Sequence, residues 1–243
     1  LSVKKTRKQV FLEQMEQVVP WDALVELIAP YYPEGKTGRP PFSLCTMLRV
    51  HFMQQWFSLS DPAMEEAFFD TPLYREFAQL QEFGRLPDES TILRFRHRLE
   101  KHKLAQKILT TVNELLIAKG LLLKVGTVVD ATLIAAPSST KNKDKARDPE
   151  MHSSKKGEQM YFGMKAHIGA DADSGLVHTV RGTSGNVHDV TQGNSLLHGE
   201  EVLAFGDVKV RYLGIKKNTA QLITLFALSN LWMVRGKLMG AVA

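Results

Sequence analysis

Apolar residues recur at helical spacing through the first half of the chain and at strand spacing through much of the second. In "FSLCTMLRVHFMQQWF", Leu44, Met47, Leu48, Phe52 and Trp56 share one face after Ser43, a residue suited to a helix N-cap. "SDPAMEEAFF" offers Ser60 as cap, Pro62 in the first turn and two glutamates soon after, and "TPLYREFAQL" repeats the device with Thr71 and Pro72. "PDESTILRFRHRLEKHKL" places Ile92, Phe95 and Leu99 in an apolar stripe. Leu104, Ile108, Leu109, Val112, Leu115 and Leu116 then predict a further helix, ended by Gly120.

Helical character gives way near 120–126, so a boundary is expected between a helical region, 1–122, and a second domain, 123–243. "TVVDATLI" (Thr127 to Ile134) is β-branched and apolar on both faces, which predicts a central buried strand with Asp130 in its middle. "GMKAHIGADAD" and "LVHTVRGTSG" predict a hairpin across Asp173-Ser174-Gly175. "NVHDVTQGNSLLHG" predicts a helix with His188 and Asp189 in its first turn, and Val202 to Phe205 a short strand delivering Asp207 at its end. "LITLFALSNLWMV" (Leu222 to Val234) is too short to span a bilayer and predicts a buried helix that carries Asn230. Strand, hairpin, helix, strand is the order that opens an RNase H-like α/β domain, in which the first and fourth strands lie side by side. The fold class expected is therefore α+β, an all-helical region followed by such a domain.

Charge adds a partner class. The net charge of +5 permits nucleic acid without requiring it. Arg94, Arg98 and Lys101 share one face of their predicted helix, and Arg96, His97, His102 and Lys103 widen it. Short helices leading into a cationic one suggest a helix-turn-helix-like DNA-binding module; the alternative is a solvated surface helix held by its apolar stripe. "KTGRPPF" is a turn-rich entry loop with two basic residues. The polar stretch 136–160 reads as an exposed basic loop, and Lys141, Lys143, Lys155 and Lys156 would meet phosphates if it serves as an arm for DNA. Cys45 is the only cysteine, which removes intramolecular disulfides and multi-cysteine metal sites and fits a cytosolic setting. The first residues carry no secretory signal, and since Leu1 is not Met a few residues are expected to precede it.

A buried carboxylate needs a partner, a proton or a metal, and Asp130 bonded to backbone or to an arginine would satisfy that demand without chemistry. Two carboxylates on neighbouring strands, Asp130 and Asp207, call instead for a cation; Mg²⁺ or Mn²⁺ between them can activate water for in-line attack on phosphate.

Several long stretches then carry a resemblance: "VPWDALVELIAPYYP", "GRPPFSLCTMLRVHFMQQWFSLSD", "LPDESTILRFRHRLEKH", "VDATLIAAPSSTKNKDKARDPEMHSSKKGEQMYFGMKAHIGADADSGLVH" and "LLHGEE". The chain resembles bacterial insertion-sequence transposases of the DDE type, the insertion sequence five group. The resemblance implies an N-terminal region that binds terminal inverted repeats in double-stranded DNA, a nucleoid-associated cytoplasmic location, and an Asp-Asp-Glu site holding Mg²⁺ or Mn²⁺. Asp130 matches the first catalytic acid and metal ligand, and Asp207 the second. "VKVRYLGIKKNTAQLITLFALSNLWM" resembles the segment that follows the catalytic Glu in relatives, so Asp207 and Val208 read as two edges of an internal deletion. No acidic residue occurs from Val208 to Ala243. Three readings stand: an active enzyme that borrows a carboxylate from elsewhere or from another subunit, a non-catalytic DNA-binding module that forms homo-oligomers or mixed oligomers with intact enzyme, and the product of a decayed gene.

Overall fold

The computed structural model describes residues 4–35, 38–81, 84–122, 125–136, 138–141, 146–156, 158–199, 201, 203–206 and 215–240. The chain divides into two compact units, one of residues 1–112 with 231–243 and the other of residues 113–230. The architecture is α+β, a helix-rich N-terminal region followed by a sheet and a long C-terminal helix.

The first unit is helical: α1 (Arg7–Val18), α2 (Trp21–Ile28), α3 (Leu44–Phe57), α4 (Asp61–Asp70), α5 (Pro72–Phe77), α6 (Glu89–Lys101) and the start of α7 (Leu104–Ala118). Ser43 and Ser60 cap as the sequence predicts, accepting from Thr46 N at 3.0 Å and Ala63 N at 3.3 Å. Thr71 does not. Its side chain makes no cap bond, because its backbone N–H still completes α4 by bonding Ala67 O, and one residue serves as the end of α4 and the start of α5.

α3 is the centre of this unit rather than a one-sided helix. Every residue from Thr46 to Gln55 is buried, including Arg49, His51, Gln54 and Gln55. Arg49 is accommodated because Glu16 grips its guanidinium with both oxygens, one at 2.7 Å, while the Trp21 ring lies 4.2 Å away. Burial, with Arg96 nearby, pushes the His51 imidazole down to about 4, so it is neutral at ordinary pH.

On α6 the stripe Ile92, Phe95 and Leu99 is buried as expected, and Asp88 caps the helix by accepting from Thr91 N at 2.6 Å. Arg96 does not belong to the basic surface the sequence suggested. It reaches Asp61 at 2.5 Å and Glu100 at 3.5 Å, an ion-pair group that ties α6 to α4. Near the chain's end, Trp232 packs 4.8 Å from the Phe11 ring and Arg235 bonds Gln14 at 3.2 Å.

The second unit holds β1 (Gly126–Ala135), β2 (His152–Lys156), β3 (Gln159–Asp171), β4 (Val177–Ser184), α8 (Gly193–Leu196), β5 (Leu203–Gly206) and most of α9 (Ile215–Gly240). α7 ends as the sequence predicts, with Gly120 at φ +65° and its N–H on Ile117 O at 2.8 Å. β3 runs antiparallel to β1 along one edge and to β2 and β4 in succession along the other, since Gly163 faces both Ala135 and His152 while Met164 faces both Ile134 and Ser184. β5 joins the far side of β1 in parallel, Gly126 opposite Leu203 and Val129 opposite Gly206. The strand order is thus β4, β3, β1, β5, with β2 extending the β4 edge.

The β3–β4 turn falls where the sequence put it. Asp171 Oδ2 accepts from Ser174 N at 2.9 Å, and Gly175 takes φ +70°. Three expectations need correction. The basic stretch 136–160 is not one loop, because His152–Lys156 forms β2 and pairs with the start of β3; a strand of polar residues has no apolar alternation to reveal it. The helix foreseen at 186–199 shrinks to a 3-10 turn, Asp189–Gln192, and the single turn of α8. β1 is central in pairing, yet Val128 to Ala131 stay half-buried.

α9 is longer than the apolar run that foretold it. Leu222, Ile223, Ala227 and Leu228 are buried along it. Of the polar residues buried with them, Thr224 bonds Ala220 O within the helix, whereas Asn230 reaches the sheet: it accepts from Val177 N at 2.9 Å and donates to Val177 O at 2.7 Å and Asn113 Oδ1 at 3.0 Å. The amide thus pairs with the first residue of β4 as a neighbouring strand would.

Candidate acid site and nucleic-acid interface

Asp130 sits in the middle of β1, opposite Ile168 of β3, and is half-buried. Directly paired residues share a face, so Asp130 lies on the same face as Ile168 and Val180. On that face α9 lays Thr219 against Gly182, where any Cβ would come within 1.9 Å of the Thr219 hydroxyl. On the other side of β1 the parallel register runs as far as Val129 opposite Gly206. The next residue in sequence is Asp207, which lies outside the described residues.

Two other acids of this unit, Asp189 and Glu201, are engaged. Asp189 bonds Lys165 Nζ at 2.8 Å, and the same ammonium donates to Val187 O at 2.8 Å, which pins the segment after β4 to β3. His167, buried beside them, is pushed below the ordinary imidazole value by burial and by Lys165, against the opposing pull of Asp189. The carboxylate of Glu201 accepts from Gly199 N at 2.7 Å, from His198 N and from Thr127 Oγ1 at 3.2 Å. Burial opposes its charge, but the backbone donors outweigh burial and hold it at about 2. Glu201 therefore closes its own loop.

No group of three or more His, Cys, Asp or Glu able to hold a metal occurs among the described residues. Asp130 is one oxygen donor of the set that Mg²⁺ or Mn²⁺ would need, so the described residues do not by themselves fit the divalent cation that the DDE type of chemistry uses.

The cationic residues divide by unit. In the helical unit, Arg94 and Lys101 are exposed on α6 and Arg98 is half-buried, its guanidinium 5.7 Å from the Tyr32 ring. Arg94 and Arg98 line a cleft of about 370 Å³ that Arg39 and Arg85 also line. Arg85 stacks 3.6 Å over the Phe42 ring and donates to Pro40 O at 2.9 Å, while Tyr32 donates to Phe42 O at 2.7 Å. Burial raises the Tyr32 phenol, partly offset by Arg98 and Arg85. Arg85 escaped the sequence reading: nothing in one dimension shows that the residue three before the α6 cap folds back onto the 39–42 loop. In the sheet unit, Lys141 is exposed between β1 and β2, Lys155 is exposed on β2, and Lys156 belongs to the same strand. Lys143 lies outside the described residues.

Among the described residues no helix is long and apolar enough to cross a membrane. No solved structure matches the chain. Two family models do: residues 2–98 match a transposase domain (DUF772), and residues 122–211 match a transposase DDE domain. The first match ends within α6 and the second runs from the approach to β1 past β5. Two consecutive transposase domains, the second of the DDE type, place the chain among the DDE-type insertion-sequence transposases.

Proposed function

We propose that the chain binds the terminal inverted repeats of an insertion sequence of the insertion sequence five group, and that as it stands it is defective in strand cleavage. The helical region 1–122 would carry DNA recognition, and residues 123–243 would be the remnant of an RNase H-like catalytic domain. The strand order β4, β3, β1, β5, with β5 parallel to β1, supports that reading of the sheet.

The observation that carries DNA binding is the arginine face of α6. Arg94 and Arg98 form no salt bridge with a carboxylate among the described residues, although the same helix neutralises Arg96 with Asp61 and Glu100. Cations that a fold leaves free on one face, beside others it pairs, suit phosphates. Lys101 extends that face, and Lys141, Lys143, Lys155 and Lys156 would add phosphate contacts from the second domain.

Catalytic defect is supported by the sequence after Asp207. Asp130 and Asp207 would be the first two acids and metal ligands for Mg²⁺ or Mn²⁺, but Val208 to Ala243 contain neither Asp nor Glu. A divalent metal held there would supply activation of the attacking oxygen and stabilisation of the leaving one. Groups that act as a unit fail together, so a lost third ligand removes the activity rather than reducing it by a share. An internal deletion at Asp207–Val208 accounts for the pattern. A chain of this kind keeps its binding surface and acts as an inhibitor through occupied ends or mixed oligomers with an intact transposase.

Titration of duplex DNA bearing the repeats, at several salt concentrations, tests the binding reading. Alanine at Arg94, Arg98 and Lys101 together should lower the slope of log affinity against log salt by about one per lost contact. Unchanged affinity and slope would make α6 a structural helix only.

A further inference from the structure

The cleft beside α6 has features that contact with a smooth duplex does not require. It is concave, and at about 370 Å³ it has room for a small ligand but not for a helix of DNA. Asp88 is the one acid among its described lining residues, and that carboxylate is occupied with Thr91 N and Ser90 Oγ. Against it stand four arginines, none of which forms a salt bridge among the described residues. The charge calls for an anion. The walls call for more than a bare phosphate, because Tyr32, Phe42, Pro40 and Pro41 also line the cleft. Arg85 brings the two together: its guanidinium lies over the Phe42 ring at 3.6 Å and also lines the cleft, a flat, charged group of the kind on which nucleic-acid bases stack.

We propose that this cleft holds one unpaired nucleotide of a DNA strand, its phosphate among Arg39, Arg94 and Arg98 and its base on the Arg85 guanidinium. The inference rests on the DNA-binding reading above and adds to it the recognition of an unstacked base, which α6 lying along a phosphate backbone would not give. A paired base cannot enter, since its faces are covered by neighbours in the stack. A base at a frayed end, an overhang or a bulge can.

The test uses the full chain and three duplexes of one sequence: blunt, with one extra unpaired nucleotide, and with an abasic residue at that position. Anisotropy titrations at fixed salt should show the unpaired nucleotide bound about ten-fold tighter than the blunt duplex, the effect expected of one stacked base. The abasic duplex should fall close to the blunt one. Arg85→Lys keeps the charge but not the plane, and should abolish the preference while blunt-duplex affinity stays within about two-fold. Arg39→Ala, at an exposed loop position, should weaken the unpaired-nucleotide complex without disturbing the fold, which circular dichroism checks. Equal affinity for blunt and unpaired duplexes in the wild type overturns the cleft while leaving DNA binding intact. Equal affinity for the abasic and unpaired duplexes reduces it to a phosphate site and overturns the base-stacking part. A deoxynucleoside monophosphate that binds when no duplex does would assign the cleft to a free nucleotide and sink both readings.

Discussion

Replacing Asn230 by alanine removes the polar contact that docks α9 onto β4. In the folded protein its amide makes three hydrogen bonds of 2.7 to 3.0 Å, to both backbone groups of Val177 and to Asn113, and Asn230 and Asn113 are 1 % and 6 % exposed. Alanine leaves Val177 N–H without its partner and takes the donor from Asn113 Oδ1, whereas Val177 O keeps its bond from Asn113 at 3.3 Å. Two orphaned groups at about 1–3 kcal/mol each give a loss of about 2–6 kcal/mol, before any cavity is counted. Against an ordinary domain stability of about 5–15 kcal/mol that is large, and it should lower the thermal midpoint of this unit by about 10 °C or more. Urea unfolding followed by far-ultraviolet circular dichroism would measure it, with an unchanged m-value showing that stability rather than compactness has moved. Met233→Ala, at a 52 % exposed position on the same helix, is the control and should stay within about 0.5 kcal/mol. If Asn230→Ala costs no more than Met233→Ala, the amide does not hold α9 to the sheet and the reasoning fails.

His51 should make the helical unit acid-sensitive. Its folded value, about 4, lies below the ordinary 6.5, so the unfolded chain takes up the proton first. The contribution is complete above about 6.5 and is lost as pH falls toward 4, about 3 kcal/mol in all. His51→Leu should flatten this part of the stability–pH curve, and a variant that keeps the wild-type slope would assign it elsewhere. Breaking the Asp61–Arg96 pair by Asp61→Ala leaves a half-buried guanidinium with only the longer Glu100 contact and is expected to destabilise the packing of α4 on α6 by about 1–3 kcal/mol, read as a shift in the urea midpoint. With Mg²⁺ or Mn²⁺ the purified chain should not nick inverted-repeat DNA; nicking that disappears in Asp130→Asn would show a working site and refute the defect.

The sequence by itself determined the elements whose signals are local. Ser43, Ser60 and Gly120 mark helix ends because a cap or a left-handed turn is decided by a few neighbouring atoms. The stripe of Ile92, Phe95 and Leu99, the strand around Asp130 and the turn at Ser174-Gly175 are legible for the same reason. Long matching stretches also made the transposase resemblance readable before any fold was seen. What only the tertiary structure decided depends on partners far apart in the chain. Arg96 looks like a surface cation until Asp61 is found beside it, and Arg49 looks misplaced in a core until Glu16 and Trp21 close around it. β2 has no apolar pattern, so only the ladder offered by β3 makes it a strand. Arg39, Arg85 and Arg98 come from a loop, the segment before α6 and α6 itself. Their convergence over Tyr32 and Phe42 exists only once the helices have packed, because helical period and charge order along a chain fix which face a side chain occupies but not what that face will meet.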